Sequence, residues 1–359
     1  MNDPTPPAPS SGPEPPGPGA DRLPDELLLR MHDIMAEARV LEERLIRMQK
    51  QGDVYFWIGG PGEEAFNTAL GLLLKKGRGL DYDFTHLHYR SSATLLAMGG
   101  RSIDALRQGR TKLTDPFSGG RNFVGHYSMR EQNMCPISSP IEVQFSIAIG
   151  TAMAQRKPGC TGITVVQGGD AGTAEADFAT CLVWSTRPAA PLPILMIVTN
   201  NEWGISTPAR MQHGEENIAD RGKPFGIPTK VIDGNDPELC YREVEAALAY
   251  VREERRPFLL EARVSRLYGH SSSSGANYIE GEVDCLVDFE KRLDSLGLRS
   301  LAESEALREK LFHRMQDDSR SLKAEPDPSP EHIWENVFAE RNIVGEETER
   351  SVHPREEEG

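Results

Sequence analysis

The chain has 359 residues, 38% apolar and 26% charged, the balance of a globular protein with one large domain or two ordinary ones. A formal net charge of −15 argues against a nucleic-acid surface, which needs clustered Lys and Arg. No apolar run approaches the roughly 20 residues of a membrane span. The five cysteines lack C-x-x-C spacing, which excludes a disulfide scaffold or zinc ribbon and fits a reducing compartment such as the cytoplasm.

Residues 1–20 are nearly all Pro, Gly, Ser and Ala, so they bury little and read as disordered. No basic region followed by an apolar one opens the sequence, so no secretory signal is expected. Pro24 is a good first helical residue, with Asp25 and Glu26 suited to the first turn. Leu27, Met31, Ile34, Ala38, Leu41, Leu45 and Met48 then recur at helical spacing. Glu63 and Glu64 read as the acidic opening of another helix. Residues 163–166 form a β-branched strand ending in Gln-Gly-Gly-Asp, and 174–185 a helix. Residues 193–199 form a buried strand ending in Asn200-Asn201. A strand at 229–232, a helix at 237–252 and a strand at 258–264 follow. Such alternation predicts an α/β fold, a mostly parallel sheet with helices on both faces. Residues 286–323 read as a separate helical outer layer, and the chain after Val344 as a solvated acidic tail. The expected organisation is thus a tail at 1–20, one domain at 21–344 and an acidic tail at 345–359.

Two strand ends carry the chemistry. Asp170 lies in Gly168-Gly169-Asp170-Ala171-Gly172, and Asn201 just past the next strand. Ligands of an open parallel sheet bind outside the carboxyl ends of its strands. A carboxylate and an amide oxygen are hard donors suited to Mg²⁺. Glycines let backbone N–H groups approach a phosphate, and the following helix offers its N-terminus. Each half alone reads as an ordinary turn. Together, each after a strand, they read as a metal and phosphate site.

Gly169-Asp170-Ala171-Gly172 through Asn200-Asn201 resembles the Gly-Asp-Gly…Asn-Asn signature of thiamine diphosphate enzymes. The flanking motifs are Gly62-Glu63-Glu64-Ala65, His88-Tyr89-Arg90, Ile137-Ser138-Ser139-Pro140, Asn201-Glu202-Trp203-Gly204-Ile205-Ser206-Thr207 and Gly269-His270-Ser271. They narrow the resemblance, over residues 24–340, to the alpha subunit of the first component of 2-oxo acid dehydrogenase complexes. The Ser-Ser-Pro…Gln144 segment is similar to the branched-chain members.

The resemblance implies a thiamine diphosphate-binding fold in an α₂β₂ heterotetramer. The activity implied is oxidative decarboxylation of a 2-oxo acid, with acyl transfer to a lipoyl group on a partner acyltransferase. It implies Mg²⁺ held by Asp170, Asn201 and the Trp203 carbonyl. Tyr89, Arg90, Ser139, Gly169, Ala171, Gly172 and His270 would join Asp170 and Asn201 around the cofactor. His270 and His126 would be the active-site histidines, His270 able to exchange a proton near neutral pH. A K⁺ ion would rest on Ser138, Pro140 and Gln144. Val143 stands where the family has a Thr and brings no oxygen, so carbonyls would have to serve. Ala171 replaces a family Gly, Thr199 an Arg and His88 a Gln. Ser271 aligns with a serine phosphorylated in some relatives, in a Gly-flanked serine run that reads as mobile without cofactor. The activating glutamate would come from the beta subunit, so the chain alone would be inactive. Pyruvate and acetoin dehydrogenase alpha subunits share the motifs. An NAD enzyme would need G-x-G-x-x-G between a first strand and helix, which is not found. A non-catalytic assembly module would not account for the strand-end residues.

Overall fold

The computed structural model describes residues 22–335. The tails expected at 1–20 and 345–359 lie outside the described residues. Helix α1 (Asp25–Lys50) starts from Pro24 as its cap and buries far more than one stripe. Leu28, Met31, Met35, Leu41, Leu45 and Met48 are fully buried, and so are the charged Arg39 and Glu42, whereas Leu27 and Ile34 stay partly exposed. Helix α2 (Glu64–Leu73), strand β1 (Phe84–His86) and helices α3 (Ser92–Ala97) and α4 (Ser102–Gly109) follow.

Helix α5 (Val143–Gln155) leads into β2 (Thr164–Gly169), then α6 (Ala176–Ser185) and β3 (Ile194–Asn200). A short antiparallel ribbon, β4 (Trp203–Gly204) with β5 (Thr207–Pro208), projects after β3. Strand β6 (Thr229–Asp233), helix α7 (Pro237–Glu254) and strand β7 (Phe258–Arg263) complete the sheet. Its order is β1-β2-β3-β7-β6, with every pair parallel.

Alternate strand residues face opposite layers, as a period of two requires. Val165, Leu195, Ile197, Leu260 and Ala262 pack with Met35 of α1, Phe66 of α2 and Val244 of α7. Val166, Ile194, Met196, Val198 and Leu259 pack with Phe145 of α5 and Phe178 of α6. Both faces of the sheet are covered, as the strand–helix alternation predicts.

Several elements were not read from the sequence: β1, α3, α4, α5 and the β4–β5 ribbon. Strand β1 is three residues long and carries no apolar pattern. Helix α5 did carry a signal, because Phe145, Ala148, Ile149 and Ala152 are buried at helical spacing. Two expectations are corrected. The helix read from residue 174 starts at Ala176, because Ala171–Ala174 form a 3₁₀ turn. The segment at 286–323 is two helices, α8 (Cys285–Ser295) and α9 (Leu301–Ser321), parted at Gly297 with φ 68°. The two helices pack on the outside of α1, α2 and α4, with Phe289, Leu311 and Met315 continuing the core that α1 shares with the sheet. Among the described residues no helix is long and apolar enough to cross a membrane.

Candidate active site

Strands β2 and β3 are neighbours, with Gly169 paired to Thr199, so the residues that follow them emerge side by side. After β3 two Asx turns run in series. The Asn200 side-chain oxygen accepts from the Glu202 N–H at 2.9 Å, and the Asn201 oxygen from the Trp203 N–H at 3.1 Å. Glu202 and Ile205 hold positive φ of 62° and 52°, conformations that cost about 1–3 kcal/mol each and persist only where surroundings impose them. Arg266, just past β7, imposes part of this. It donates to the Ile205 carbonyl at 3.0 Å and lies 5.5 Å over the Trp203 ring.

A cleft at these strand ends is lined by Tyr89, Arg90, Ser138, Ser139, Gln144, Gly169, Asp170, Ala171, Gly172, Asn201, Trp203 and His270. It is also lined by His88 and Glu142. Asp170 is almost wholly buried and its Oδ2 has no partner. Burial pushes its pKa up to about 6. The Asn201 amide is oriented by its neighbours, because Nδ2 lies 3.5 Å from Glu63 Oε1 while Oδ1 takes the Trp203 N–H. No group of three or more His, Cys, Asp or Glu suited to a metal occurs among the described residues. The donors at the two strand ends are the Asp170 carboxylate and the Asn201 amide oxygen, the hard oxygen type that Mg²⁺ prefers.

Arg90 is buried and held by its own chain. It donates to the Gly59 carbonyl and, at 3.0 Å, to His270 Nδ1, and its Nε lies 3.6 Å from Glu63. Part of the guanidinium's donor set is thus already used within the chain. His270 also differs from expectation. Burial, Arg90 and Arg266 push its pKa down to about 4, so the ring is neutral near pH 7. With Nδ1 accepting from Arg90, the proton sits on Nε2, which makes the ring a donor rather than a group titrating near neutrality.

His126 does not line the cleft. It stands behind Ser139, whose hydroxyl lies 2.8 Å from its Nε2, while Nδ1 faces the Val124 carbonyl at 3.1 Å. Burial lowers its pKa, so it acts as a neutral brace for Ser139 and stacks beside Tyr89. Pro140 is likewise outside the lining, whereas Ser138 and Gln144 are in it. The Gln144 Oε1 is buried without a partner. The Gly169 N–H is not free for a phosphate, because it donates to Glu142 Oε1 at 3.1 Å. Ala171 leaves the backbone regular, its methyl seated against Gly204, where a side chain would collide.

Two acids escaped the sequence reading. Glu63 is buried beside Arg90 and Asn201 with Oε2 unpartnered, and burial raises its pKa to about 7. Glu142 is buried with Oε2 unpartnered, and burial raises its pKa to about 8. The serine loop is held by hydrogen bonds in this structure. Its hydroxyls are used: Ser272 Oγ accepts from the Trp57 N–H at 3.1 Å, and Ser274 Oγ from the Ser271 N–H at 3.0 Å. Ser271 bridges to Ile58 and is buried.

Residues 32–331 match the family described as the dehydrogenase E1 component. The chain belongs to that family. It is 27% identical over 325 residues to the 2-oxoisovalerate dehydrogenase subunit alpha of Bacillus subtilis, covering 88% of this chain and 97% of that one. It is 30% identical over 341 residues to the protein of the same name from Pseudomonas aeruginosa, covering 90% of this chain and 81% of that one. It is 24% identical over 327 residues to the human mitochondrial protein of that name, covering 89% and 72%. Within this family frame, the cleft at the ends of β2 and β3 is the region where the sequence motifs and the buried unpartnered oxygens coincide.

Proposed function

We propose that this chain is the alpha subunit of a thiamine diphosphate-dependent 2-oxo acid dehydrogenase of the branched-chain type, a 3-methyl-2-oxobutanoate dehydrogenase. Family membership and the names of the relatives support the reading. The observation that carries the site is the unpartnered Asp170 Oδ2 beside an oriented Asn201 at adjoining strand ends.

The donor set fits a magnesium diphosphate. Asp170, Asn201 and the Trp203 carbonyl would hold Mg²⁺, and Arg90, Tyr89 and Ser139 would flank the diphosphate with the backbone of Ala171 and Gly172. Thiamine diphosphate, when bound, supplies the electron sink for decarboxylation. This chain's own residues orient and shield. Glu63 turns the Asn201 amide so that its oxygen faces away from Glu63, Arg90 fixes the His270 tautomer, and His270 presents an Nε2–H donor to the cleft. K⁺ would rest on the Gln144 Oε1 and on carbonyls of Ser138 and Pro140, since Val143 offers none from its side chain. A beta subunit completes the site in an α₂β₂ assembly, and a lipoyl acyltransferase takes the acyl group. The domain proposed for this work runs over 21–344. Cysteines that are all free support a reducing location such as the cytoplasm.

Co-expression with the beta partner, followed by assay of a panel of 2-oxo acids, tests the reading. The expected result is decarboxylation that needs both subunits, thiamine diphosphate and Mg²⁺, fastest with branched-chain acids. Turnover by the pure single chain would overturn the shared-site reading. Preference for pyruvate would move the chain to the pyruvate or acetoin type, and a complex without turnover would favour an assembly module.

A further inference from the structure

Glu142 caps the start of α5 in a left-handed conformation, φ 61°, unusual for a residue with a side chain. That backbone sends its carboxylate into the turn that carries Asp170. Oε1 accepts the Gly169 N–H at 3.1 Å. The same carboxylate fills the space over two glycines, so that a methyl at Gly168 or at Gly172 would overlap it. Two residues on, Gln144 Nε2 donates to the Gln167 carbonyl of β2 at 3.0 Å. The start of α5 therefore grips the end of β2 and the turn after it, from Gln167 to Gly172, with Asp170 inside the gripped segment.

This grip has a cost. Glu142 is buried, its Oε2 has no partner, and no cation forms an ion pair with it among the described residues. A buried carboxylate left half-satisfied destabilises a fold unless it does something there. We propose that Glu142 is a positioning residue for the metal site: its carboxylate clamps the Gly168–Gly172 turn and so holds Asp170 in place to bind a divalent cation. The proposal rests on the reading of Asp170 as a metal ligand.

The clamp acts through an acceptor oxygen and through bulk. Glutamine keeps both and alanine keeps neither. In the assembled alpha–beta enzyme, Glu142→Ala should weaken Mn²⁺ binding about tenfold, read directly from the free-ion paramagnetic signal with thiamine diphosphate present. That corresponds to about 1.4 kcal/mol. Half-saturating Mg²⁺ should rise by the same factor, with kcat at saturating metal largely retained. Glu142→Gln should restore Mn²⁺ binding to within about twofold. Gly168→Ala, which pushes a methyl into the carboxylate, should weaken Mn²⁺ binding more in the native background than beside Glu142→Ala.

Asp170→Ala separates the two readings. If it binds Mn²⁺ as the native enzyme does, the metal assignment falls and the clamp with it. If it loses Mn²⁺ while Glu142→Ala binds normally, only the clamp is overturned. Equal effects of Gly168→Ala in both backgrounds, or a Glu142→Gln variant as weak as Glu142→Ala, would also overturn it.

Discussion

Glu63 and Glu64 are consecutive and both buried, yet they belong to two different kinds of charge cluster. Glu64 accepts two bonds from Arg39, at 2.6 and 3.1 Å, and a third from the Gly62 N–H at 2.8 Å. Arg39 also forks onto Asp284, at 2.8 and 3.0 Å, which in turn caps α8. Although burial alone would raise it, Arg39 and the cap hold the Asp284 pKa below the usual range. Every charged group in that cluster is hydrogen-bonded to a partner of opposite sign, and it ties α1, α2 and α8 together. Glu63 has one long contact to Arg90, one long contact to Asn201 and an unpartnered oxygen. Asp170 and Glu142, on the same side, are equally under-satisfied. Neighbouring sequence positions are thus sorted by satisfaction: the matched cluster is architecture, and the unmatched one is where the proposed cation and diphosphate would add partners.

The largest effect expected from breaking this contrast is at Asp170. Asp170→Ala should abolish Mg²⁺-dependent binding of thiamine diphosphate in the assembled enzyme, by calorimetry, while the thermal midpoint of the cofactor-free protein holds or rises. Removing a desolvated, unpartnered carboxylate takes away no native bond from its Oδ2. A native-like affinity would show that the unmatched oxygen is not a ligand.

Arg39→Ala is the mirror experiment. It strands Glu64 and Asp284 without their cation, and losing one partner of a buried pair costs about 3–5 kcal/mol. The denaturation midpoint should fall accordingly, with any protein that does fold binding cofactor normally. A loss below about 1 kcal/mol would mean the matched cluster is not what joins the three helices.

Glu63→Gln is a smaller perturbation. An amide oxygen still meets Asn201, but the charge facing Arg90 is gone. Stability should stay within about 1 kcal/mol, because the buried charge was poorly compensated. Cofactor affinity should fall by up to about tenfold, because Arg90 loses the carboxyl charge that helps to hold its guanidinium at the cleft. Unchanged affinity would return Glu63 to the plain helix-opening role.

Sequence made some of this visible and hid the rest for a physical reason. Asp170 and Asn201 could be read because each is a turn residue directly after an apolar strand, a purely local pattern. The parallel sheet could be read for the same reason, from β-branched runs such as Thr164–Gly169 and Ile194–Asn200. Glu63 and Glu142 could not, because an acid at a helix start looks like a dipole partner whether it is solvated or buried. Their burial is decided by residues 138 and 27 positions away, Asn201 and Gly169. The neutral state of His270 is set first by its burial and then by Arg90, 180 positions distant. The hydrogen bond that the Trp57 N–H gives Ser272 is likewise invisible in composition.

The narrowest test lies at Glu42, which stands between the two clusters. Its Oε2 accepts from the Trp57 indole at 2.8 Å, and its Oε1 from the Ser92 hydroxyl, which also meets Tyr127. Burial is the main influence and raises its pKa from 4.5 to about 7, with Glu64 adding to the rise and Arg90 opposing it. The sign follows from linkage. Between pH 4.5 and about 7 the folded protein keeps a proton that the unfolded chain releases, so stability falls as pH rises through that window. The slope from one such group is at most about 1.4 kcal/mol per pH unit. Glu42→Gln carries no titrating proton and keeps an acceptor for Trp57, so its thermal midpoint should fall less across the same window. The difference between the two slopes isolates Glu42 from Glu63 and Glu142, which titrate in both proteins. Parallel slopes would mean that Glu42 is ionised throughout, matched well enough by Trp57, Ser92 and Arg90 to belong with the architectural cluster.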